Sequence, residues 1–378
     1  MENEKEVIII GGGLAGLTAA IHLSKRYFSV TVIEKNEFPK HKVCGEYISN
    51  EVLPYFEWLD LKIFDLKPTT ITKLKFSTIN GTSISTDLPL GGFGISRYEL
   101  DFHLYKKAIE NGCKIIKDEV QNIVFNNNLF EVATTNGLNL KSRIVLGAFG
   151  KRSNLDLILN RDFIQKKSPW LAVKAHYSGE FNPNLVGLHN FNGGYCGVSK
   201  VENEIVNVCY LVRYNSFKKF KNIADFQEFV LKKNPHLKQV LENSELLFEK
   251  PLTISQISFE KKLPVENHIL MIGDTAGLIH PLCGNGMAMA IHSAKLASDL
   301  VEKYLSNKIK SRNQLENKYT KKWDFNFKSR LKMGRVLAKV LLQPKLSNVL
   351  LRILIIFPFV LKFIIKKTHG KPILVNYK

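Results

Sequence analysis

The sequence predicts an α/β protein in which a Rossmann-like nucleotide-binding domain carries an inserted antiparallel β-sheet domain and a C-terminal helical segment. An apolar β-branched run near the start leads through a glycine-rich turn into a helix, the middle of the chain has the pattern of short strands between turns, and the end is apolar and basic. We expect the following ranges: residues 1–70, 92–165 and 264–305 for the nucleotide-binding domain, 71–91 and 166–263 for the inserted domain, and 306–378 for the helical segment.

Length and charge limit the functional classes. With 378 residues, 45% of them hydrophobic, the chain can bury a sizeable core. Its net charge of +20 suggests an anionic partner, but the Lys and Arg residues are spread along the chain and accompany no DNA- or RNA-binding motif. We expect no nucleic-acid partner. The charge indicates a solvated surface, or attraction to an anionic membrane or a phosphorylated cofactor.

Cysteine usage and the N-terminal sequence indicate a reducing compartment. The cysteines are odd in number and lack CxxC spacing, which argues against a disulfide framework and against a zinc site, so we expect no metal. The first residues, MENEKEVIII, pass directly into a strand without an apolar signal segment. We therefore expect a cytoplasmic protein. The five cysteines are Cys44, Cys113, Cys196, Cys209 and Cys283.

The first chemical signal is the sequence GGGLAG, which follows the strand at residues 6–10 and precedes the helical pattern LTAAIHLSKR. Gly11 permits the tight turn, Gly13 allows close approach of a pyrophosphate, and Gly16 allows close packing of helix on strand. Glu34 ends the next strand, where its carboxylate can bind ribose hydroxyls and disfavours a 2′-phosphate. An ADP moiety is expected here, bound by Gly11, Gly13, Leu14, Ala15, Gly16, Glu34 and Lys35.

A second glycine-containing stretch, HILMIGDTAG, identifies the dinucleotide. It resembles the second flavin motif of the superfamily that contains geranylgeranyl reductase and p-hydroxybenzoate hydroxylase, a group A flavin monooxygenase. The resemblance implies FAD, with Gly273 and Asp274 delivered by a strand to the ribityl chain, where a carboxylate can accept from hydroxyl groups. No second GxGxxG pattern is present for a nicotinamide cofactor.

The residues after this pair suit an isoalloxazine ring. Pro281 stiffens the turn, and Gly284 and Gly286 let the backbone approach a flat ring. A helix begins in the sequence MAMAIHSAKLASDLV, and its free backbone N–H groups would stabilise the negative charge of reduced flavin. The cofactor-binding residues expected in this stretch are Pro281, Gly284, Asn285, Gly286 and Met287.

Three further segments follow the superfamily in chain order. HKVCGEYIS is similar to its Cys-Gly segment, which implies that Cys44 and Gly45 lie beside the flavin. SRYELDFHLYKKAIENG resembles its Arg-x-x-x-Asp helix start, which implies that Arg97 lies near the cofactor and Asp101 in the first helical turn. The third segment, RIVLGAFGKRSNLD, departs from the family because Phe149 stands where an aspartate is usual. In the family that aspartate lies near the flavin pyrophosphate and the path of the reductant, so the departure bears on how a nicotinamide cofactor is handled.

Two residues are candidates for a direct chemical role, and both have a structural alternative. Cys44 is a reactive thiol or a small buried apolar residue. His280 lies within the second flavin motif, but no base–nucleophile or metal spacing accompanies it. Neither has a partner that the sequence identifies.

The inserted domain is expected to hold the substrate. WLAVKAHYSG, LVGLHNF, GGYCGVSKV and EIVNVCYLVRY have the pattern of short strands, with a helix around residues 223–241, and KLKFSTI is expected in the same sheet. The Tyr-x-Trp-x-Phe-Pro segment of the reductases retains only Tyr195. The WxWxIP motif of tryptophan halogenases is absent from the sequence, which disfavours halogenation.

The C-terminal stretch LSNVLLRILIIFPFVLKFIIKK is apolar, but Arg352 and Lys362 leave nine uncharged residues between them, with Pro358 inside. A membrane-spanning helix needs about 20. Two alternatives remain: a helical pair packed over the substrate domain, or an interfacial segment that associates loosely with the inner face of a membrane.

The resemblance implies an FAD-dependent oxidoreductase, with NAD(P)H as a transient reductant and an apolar small molecule as substrate. The favoured reaction is reduction of C=C bonds in a prenyl or polyketide-like compound. The first alternative is an NAD(P)H-dependent monooxygenase that hydroxylates an aromatic or polyene substrate, and the second is a flavin-bound scaffold without turnover. The sequence leaves the oligomeric state open.

Overall fold

Two β-sheets organise the chain in the computed structural model, which describes residues 4–341 and 343–375. The predicted fold class is confirmed, since a largely parallel sheet and a largely antiparallel sheet are combined with a C-terminal helical segment. Residues 1–3, 342 and 376–378 belong to the predicted domain ranges but lie outside the described residues.

The elements are numbered in chain order. The first sheet contains β1 (Glu4–Ile10), β2 (Val30–Glu34), β6 (Lys114–Lys117), β7 (Val120–Asn126), β8 (Leu129–Thr134), β9 (Asn139–Gly147), β16 (Val265–Glu266) and β17 (Ile269–Met271). The second contains β3 (Tyr47–Ser49), β4 (Thr69–Ser77), β5 (Ser83–Gly94), β10 (Trp170–Gly179), β11 (Leu185–Phe191), β12 (Gly194–Lys200), β13 (Val206–Arg213), β14 (Ser244–Leu246) and β15 (Leu252–Ser255). The helices are α1 (Leu14–Lys25), α2 (Leu53–Trp58), α3 (Arg97–Glu110), α4 (Asn154–Ile158), α5 (Tyr214–Phe217), α6 (Ile223–Phe229), α7 (Pro235–Glu242), α8 (Gly286–Leu305), α9 (Arg312–Leu341), α10 (Pro344–Ile356) and α11 (Pro358–Thr368).

The parallel core of the first sheet has the order β17-β9-β1-β2-β6. Its central strand β1 is apolar because both of its faces are covered, and Val7, Ile8 and Ile9 are fully buried. α1 and α8 pack against each other on this sheet. Since the strands are parallel, the loops that follow β1, β2, β9 and β17 all leave at the same edge.

The second sheet is antiparallel except where β4 pairs in parallel with β11. This pair joins two strands that lie far apart in the sequence. Side chains alternate between the two faces of β10: Val173 packs in the core shared with α6 and α7, whereas Lys174 and His176 point to the opposite face. That opposite face turns toward the loops of the first sheet.

The C-terminal helices divide their contacts between the two sheets. α9 joins the core of the first sheet, where the Tyr319 hydroxyl donates to the Met271 carbonyl at 2.6 Å. α10 and α11 instead pack over the second sheet, with Leu354 and Leu361 against Ile71 and Leu74. Among the described residues no single helix is long and apolar enough to cross a membrane; α10 and α11 together reach that length and composition, but they are bent by 115°.

Candidate active site

A cavity of about 710 Å³ lies where the loops of the first sheet meet the inner face of the second sheet and the C-terminal helices. Its volume is in the range of cofactor and substrate sites. Of the 17 residues predicted to bind the cofactor, 15 line it, and Gly16 and Asn285 do not. Those that line it are Gly11, Gly13, Leu14, Ala15, Glu34, Lys35, Cys44, Gly45, Arg97, Gly273, Asp274, Pro281, Gly284, Gly286 and Met287.

The glycines of the first turn have distinct physical roles. Gly11 has φ +104°, and a Cβ there would lie 2.4 Å from the Ala148 carbonyl oxygen. A Cβ on Gly16 would lie 2.0 Å from the Gly11 carbonyl oxygen, so this glycine is required by the contact of α1 with the turn. Gly13 differs from both because its missing side chain faces the cavity.

The surroundings of Gly13 are positively charged. The atoms nearest to a Cβ at this position are Arg97 Nη2 at 3.9 Å and Lys42 Nζ at 4.0 Å. Gly13 is also the N-cap of α1, which has no side-chain cap and no acidic residue in its first turn, so the helix presents free N–H groups. Cations and N–H groups together make this part of the cavity an anion site.

Asp101 holds the two cations in place. Its carboxylate accepts from Arg97 Nε at 2.7 Å and from Lys42 Nζ at 2.9 Å. Burial alone would raise the pKa of Asp101, but the charges of Arg97 and Lys42 outweigh it and lower that pKa. Asp101 is the fifth residue of α3, one turn beyond Arg97, and not in the first turn as predicted.

The Glu34 carboxylate lies at the end of β2, as predicted, and lines the cavity. Its Oε2 atom accepts from the Gly12 N–H at 2.7 Å, and Oε1 accepts from the Asn36 N–H at 2.9 Å. The Asn36 side-chain amide also donates to Oε1, at 2.6 Å, so the carboxylate is fixed against the glycine turn and Oε2 can still accept from a ligand hydroxyl.

The second motif begins where β17 ends. Gly273 has φ +62° and donates its N–H to Ser293 Oγ on α8 at 2.8 Å. The Asp274 carboxylate lines the cavity and makes no hydrogen bond or ion pair with the part of the chain that the structure describes. Its backbone carbonyl accepts from Lys262 Nζ at 2.9 Å. A carboxylate held in this way is an acceptor for ligand hydroxyl groups.

The start of α8 forms the next part of the wall. Residues 281–283 make one 3₁₀ turn, Gly284 has φ +60°, and α8 begins at Gly286 without a side-chain cap or an acidic first turn. The Asn285 side chain points away from the cavity, donating to Glu51 Oε2 at 3.0 Å. Arg330 of α9 donates to the Asn285 side-chain oxygen at 3.4 Å. These contacts hold the N-terminus of α8 while leaving its N–H groups toward the cavity.

Sequence reasoning missed a buried ionic cluster beside Cys44. Glu46 Oε1 accepts from Lys174 Nζ and Oε2 bonds His176 Nε2, both at 2.7 Å, and the Arg97 N–H donates to Oε1 at 2.8 Å. Burial alone would raise the pKa of Glu46, but the His176 hydrogen bond and the Lys174 charge lower it. The cluster fastens the Cys44–Gly45 loop to the second sheet and to α3.

The structure separates the two candidate catalytic residues. Cys44 is half-buried and lines the cavity. His280 is 3% exposed, does not line the cavity, and is surrounded by the rings of Trp170, Tyr195 and Phe259. Burial lowers the pKa of His280 to about 3, so it is neutral at physiological pH. Among the described residues, no group of three or more His, Cys, Asp or Glu side chains is arranged to hold a metal ion.

The segment that departs from the family also lies on the cavity. Phe149 lines it, and the Gly150 N–H donates to Thr275 Oγ1 at 2.7 Å. The neighbouring Lys151 donates its amine to the Val43 carbonyl at 3.0 Å. This segment therefore joins the loop that carries Cys44 to the loop after β17.

Charge is segregated within the cavity. The Asp, Glu, Lys and Arg residues that line it lie at the end of β2, in loops that follow strands of the first sheet, or at the start of α3. Among the described residues of 172–257 and 337–369, no Asp, Glu, Lys or Arg lines it. The wall that these two ranges form is mainly apolar and includes Ala172, Val186, Leu188, Leu211, Ile254, Ile257, Leu350, Leu354, Leu361, Ile364 and Ile365.

These features fit FAD. The anion site beside Gly13 suits a diphosphate, Glu34 and Asp274 suit ribose and ribityl hydroxyls, and the N–H groups of α8 suit the electron-rich edge of a flavin. These residues lie along the carboxyl edge of the first sheet and would hold the cofactor there. Lys42, Glu46 and Tyr47 also line the cavity and were not among the predicted residues.

Comparisons with known proteins lead to the same cofactor. A model of the FAD dependent oxidoreductase family matches residues 6–44, and a model of the squalene epoxidase family matches residues 231–343. The digeranylgeranylglycerophospholipid reductase of Methanosarcina acetivorans is 25% identical over 343 residues, which cover 85% of this chain and 81% of that protein. The tryptophan 2-halogenase of Chondromyces crocatus is 20% identical over 348 residues, which cover 82% and 63%.

Solved structures share the fold. A flavin-dependent brominase superposes with a TM-score of 0.78 at 16% identity, covering 97% of this chain and 93% of its own. A geranylgeranyl bacteriochlorophyll reductase-like protein from Thermoplasma acidophilum superposes with a TM-score of 0.72 at 19% identity, covering 90% and 88%. The resemblance predicted from the two flavin motifs is confirmed.

Proposed function

We propose that this chain, an FAD-dependent oxidoreductase by its resemblance and fold, reduces C=C bonds of an apolar prenyl or polyketide-like substrate. The observation that carries the proposal is the segregation of charge in the cavity: among the described residues of 172–257 and 337–369, no Asp, Glu, Lys or Arg lines it, and the wall that they form is mainly apolar. A hydrocarbon chain would bury its surface there without desolvating a charged side chain.

The relatives support an apolar substrate. One is named as a reductase of digeranylgeranylglycerophospholipid, and the family model that matches residues 231–343 is named for squalene. Both names describe isoprenoid compounds with several C=C bonds. For this chain we propose only that class of substrate, and neither of the two named compounds.

Different residues have different roles in this proposal. The Arg97–Lys42 pair and the α1 N-terminus bind the diphosphate, and Glu34 and Asp274 orient the cofactor through its hydroxyls. Bound FAD supplies the hydride-transfer chemistry. The Glu46 cluster positions the Cys44–Gly45 loop, and the apolar wall excludes water from the reacting carbon atoms. Cys44 is the candidate for direct contact with substrate or flavin.

The second candidate function is a monooxygenase that hydroxylates an aromatic or polyene substrate. It is favoured by the squalene epoxidase match, which spans the second flavin motif and α8. The apolar wall and the cofactor site would serve either reaction. The two are distinguished by their product, since reduction adds hydrogen to the substrate and hydroxylation adds oxygen.

The test begins without oxygen. Purified protein that retains FAD is mixed with NADH or NADPH, and the flavin absorbance is followed; we expect bleaching, because NAD(P)H is the proposed reductant. Geranylgeraniol or squalene is then added and the products are analysed by mass spectrometry. A substrate that has gained hydrogen supports the reductase. A product that has gained oxygen, formed only after air is admitted, supports the monooxygenase.

Reduction of the flavin by dithionite tests the reaction with substrate independently of the nicotinamide nucleotide. Failure of both nucleotides to bleach the flavin would exclude NAD(P)H, and dithionite-reduced protein would then be offered the same substrates. If it forms neither product, the flavin-bound scaffold becomes the better explanation. The control is Leu188→Trp, whose larger side chain would occupy part of the cavity beside the apolar wall. We expect its turnover to fall about 10- to 100-fold while reduction of the flavin is unchanged.

A further inference from the structure

The outer surface of α10 and α11 is unusually apolar. Among the described residues, 24 large apolar side chains are exposed, and eight of them lie between residues 346 and 363. Such a concentration in a short segment marks an interaction site, whereas single exposed apolar residues are ordinary. The eight are Leu346, Val349, Ile353, Ile355, Ile356, Phe357, Phe359 and Phe363.

The two helices have two apolar faces. On α10, Leu350 and Leu354 face inward and line the cavity, while Val349 and Ile353 are exposed. α11 repeats the pattern: its inner residues 361, 364 and 365 line the cavity, while Phe359 and Phe363 are 68% and 55% exposed. Protein contacts account for the inner face. The outer face lies away from the protein and has no occupant within the described chain.

The charge around the outer face is positive. Residues 325–378 contain 12 Lys and Arg and no Asp or Glu, whereas residues 1–324 contain 42 Lys and Arg against 34 Asp and Glu. Five of these cations, Lys345, Arg352, Lys362, Lys366 and Lys367, are exposed on α10 and α11 themselves. The excess of positive charge is therefore concentrated in the segment that also exposes apolar side chains.

We propose that the outer face of α10 and α11 docks on the surface of a bilayer containing anionic phospholipids. The apolar side chains would enter the boundary between headgroups and acyl chains, and the Lys and Arg side chains would contact the headgroups. We place the helices on the bilayer surface because their inner faces pack against the second sheet and the bend of 115° between them leaves the outer faces exposed.

A second copy of the chain is the competing occupant of this face. Two copies meeting through it would bring the acid-free segments together, and like charges across an interface disfavour association. A bilayer with anionic headgroups offers opposite charge and apolar volume together. The charge pattern therefore favours the bilayer.

Docking would place a lipid surface against helices whose other face lines the cavity. That an apolar substrate enters from the bilayer rests on the proposed function, but docking itself does not. Vesicle binding is measured without turnover. Docking without any reaction would contradict only the proposed function, and turnover of a detergent-dispersed substrate without docking would contradict only this inference.

The test uses the full-length protein with FAD bound. It is sedimented with vesicles of phosphatidylcholine alone and with vesicles that also contain phosphatidylglycerol. We expect strong binding to the anionic vesicles, weak binding to the neutral ones, and partial release at high salt, because salt screens the headgroup attraction. Absence of binding to anionic vesicles at low salt would overturn the proposal.

Matched variants distinguish vesicle binding through the outer face from nonspecific binding through any exposed apolar side chain. Phe359→Ser with Phe363→Ser is compared with Phe64→Ser with Phe229→Ser, whose rings are 64% and 59% exposed elsewhere. We expect the first pair to reduce vesicle partitioning about tenfold or more, and the second to leave it unchanged. Equal losses from both pairs would contradict a specific docking face. Bound flavin absorbance verifies that each variant is folded.

A charge series completes the test. Replacing lysines 362, 366 and 367 by Gln should lower partitioning into anionic vesicles by about 100-fold, while the same change at lysines 218, 219 and 221, also exposed, should have little effect. Equal effects of the two triple changes would mean that net charge alone controls binding, which overturns the proposal. A dimer in solution that the Phe359→Ser, Phe363→Ser pair dissociates, with no vesicle binding, would assign the face to a second copy.

Discussion

The two ends of the cavity are built in opposite ways. At the polar end, short segments after β1, β2 and β17 supply glycines, N–H groups and carboxylates, and a shift of one residue would misplace them. At the other end, side chains from the second sheet and from α9, α10 and α11 contribute an apolar wall. The polar end depends on backbone geometry, and the apolar end depends on volume and composition.

This difference predicts which parts of the chain tolerate amino-acid substitutions. A methyl group added at Gly11 or Gly16 would lie 2.4 or 2.0 Å from a backbone carbonyl oxygen, so the backbone itself would have to move. At the apolar end, side chains can repack around a change of similar volume. We expect the sensitivity of the protein to single substitutions to fall from the first glycine turn toward the C-terminal helices.

The strongest test of this difference is Gly16→Ala. The new Cβ would lie 2.0 Å from the Gly11 carbonyl oxygen, so α1 must separate from the turn. We expect a loss of about 3 kcal/mol or more in unfolding free energy and loss of bound FAD. Urea unfolding and flavin absorbance of the purified protein measure the two effects.

Gly13→Ala is the matched change. Its Cβ would face the cavity, with no atom closer than 3.9 Å, so we expect near-normal unfolding together with weakened FAD binding. If both variants unfold alike, the two glycines do not have the separate roles that their geometry indicates.

Asp274→Ala probes a side chain of the polar end. Its carboxylate makes no hydrogen bond or ion pair with the described residues, so its removal should leave the fold intact while a ligand hydroxyl loses its acceptor. We expect the Kd for FAD to rise about 10- to 100-fold, the usual effect of deleting a hydrogen bond to a charged group. Fluorescence titration of the apoprotein with FAD measures it.

Asp274→Asn serves as the control, because its amide oxygen still accepts a hydrogen bond. We expect this variant to lie between wild type and Asp274→Ala. FAD binding that is unchanged in Asp274→Ala would contradict the predicted role of the second motif.

The polar end could be predicted from the sequence because its signals are local. Gly11, Gly13 and Gly16 lie within six residues of one another, and Gly273 and Asp274 are adjacent. Their spacing alone specifies the turn and the strand end. Five strands of the second sheet, β4 and β10 to β13, were also predicted, since each combines apolar and β-branched residues with flanking turn residues.

The rest could not be predicted because it depends on contacts between distant segments. Glu46 meets Lys174 and His176, which are 128 and 130 residues further along the chain, and nothing near Glu46 in sequence indicates them. The parallel pairing of β4 with β11 is non-local in the same way. The two apolar faces of α10 and α11 can be seen as a pattern, but only packing shows which face lines the cavity.

Lys262 lies where the polar loops meet, and the pH-dependent effect expected there is confined to alkaline pH. Its buried amine donates to the carbonyls of Lys151 and Asp274 at 3.0 and 2.9 Å. Burial lowers the pKa of Lys262 from 10.5 to about 8. Between these values the unfolded chain keeps a proton that the folded protein has released, so Lys262 makes stability increase as pH rises from 8 to 10.5.

Lys262→Met isolates this contribution, because other Lys, Tyr and Cys side chains titrate equally in both proteins. We expect the unfolding free energy of wild type, relative to Lys262→Met, to rise with pH above 8 by no more than about 1.4 kcal/mol per pH unit. Below pH 8 the difference should be constant. Urea unfolding at a series of pH values measures it. A difference that does not change between pH 7 and 10 would mean that Lys262 stays protonated, and that its two carbonyl contacts outweigh burial.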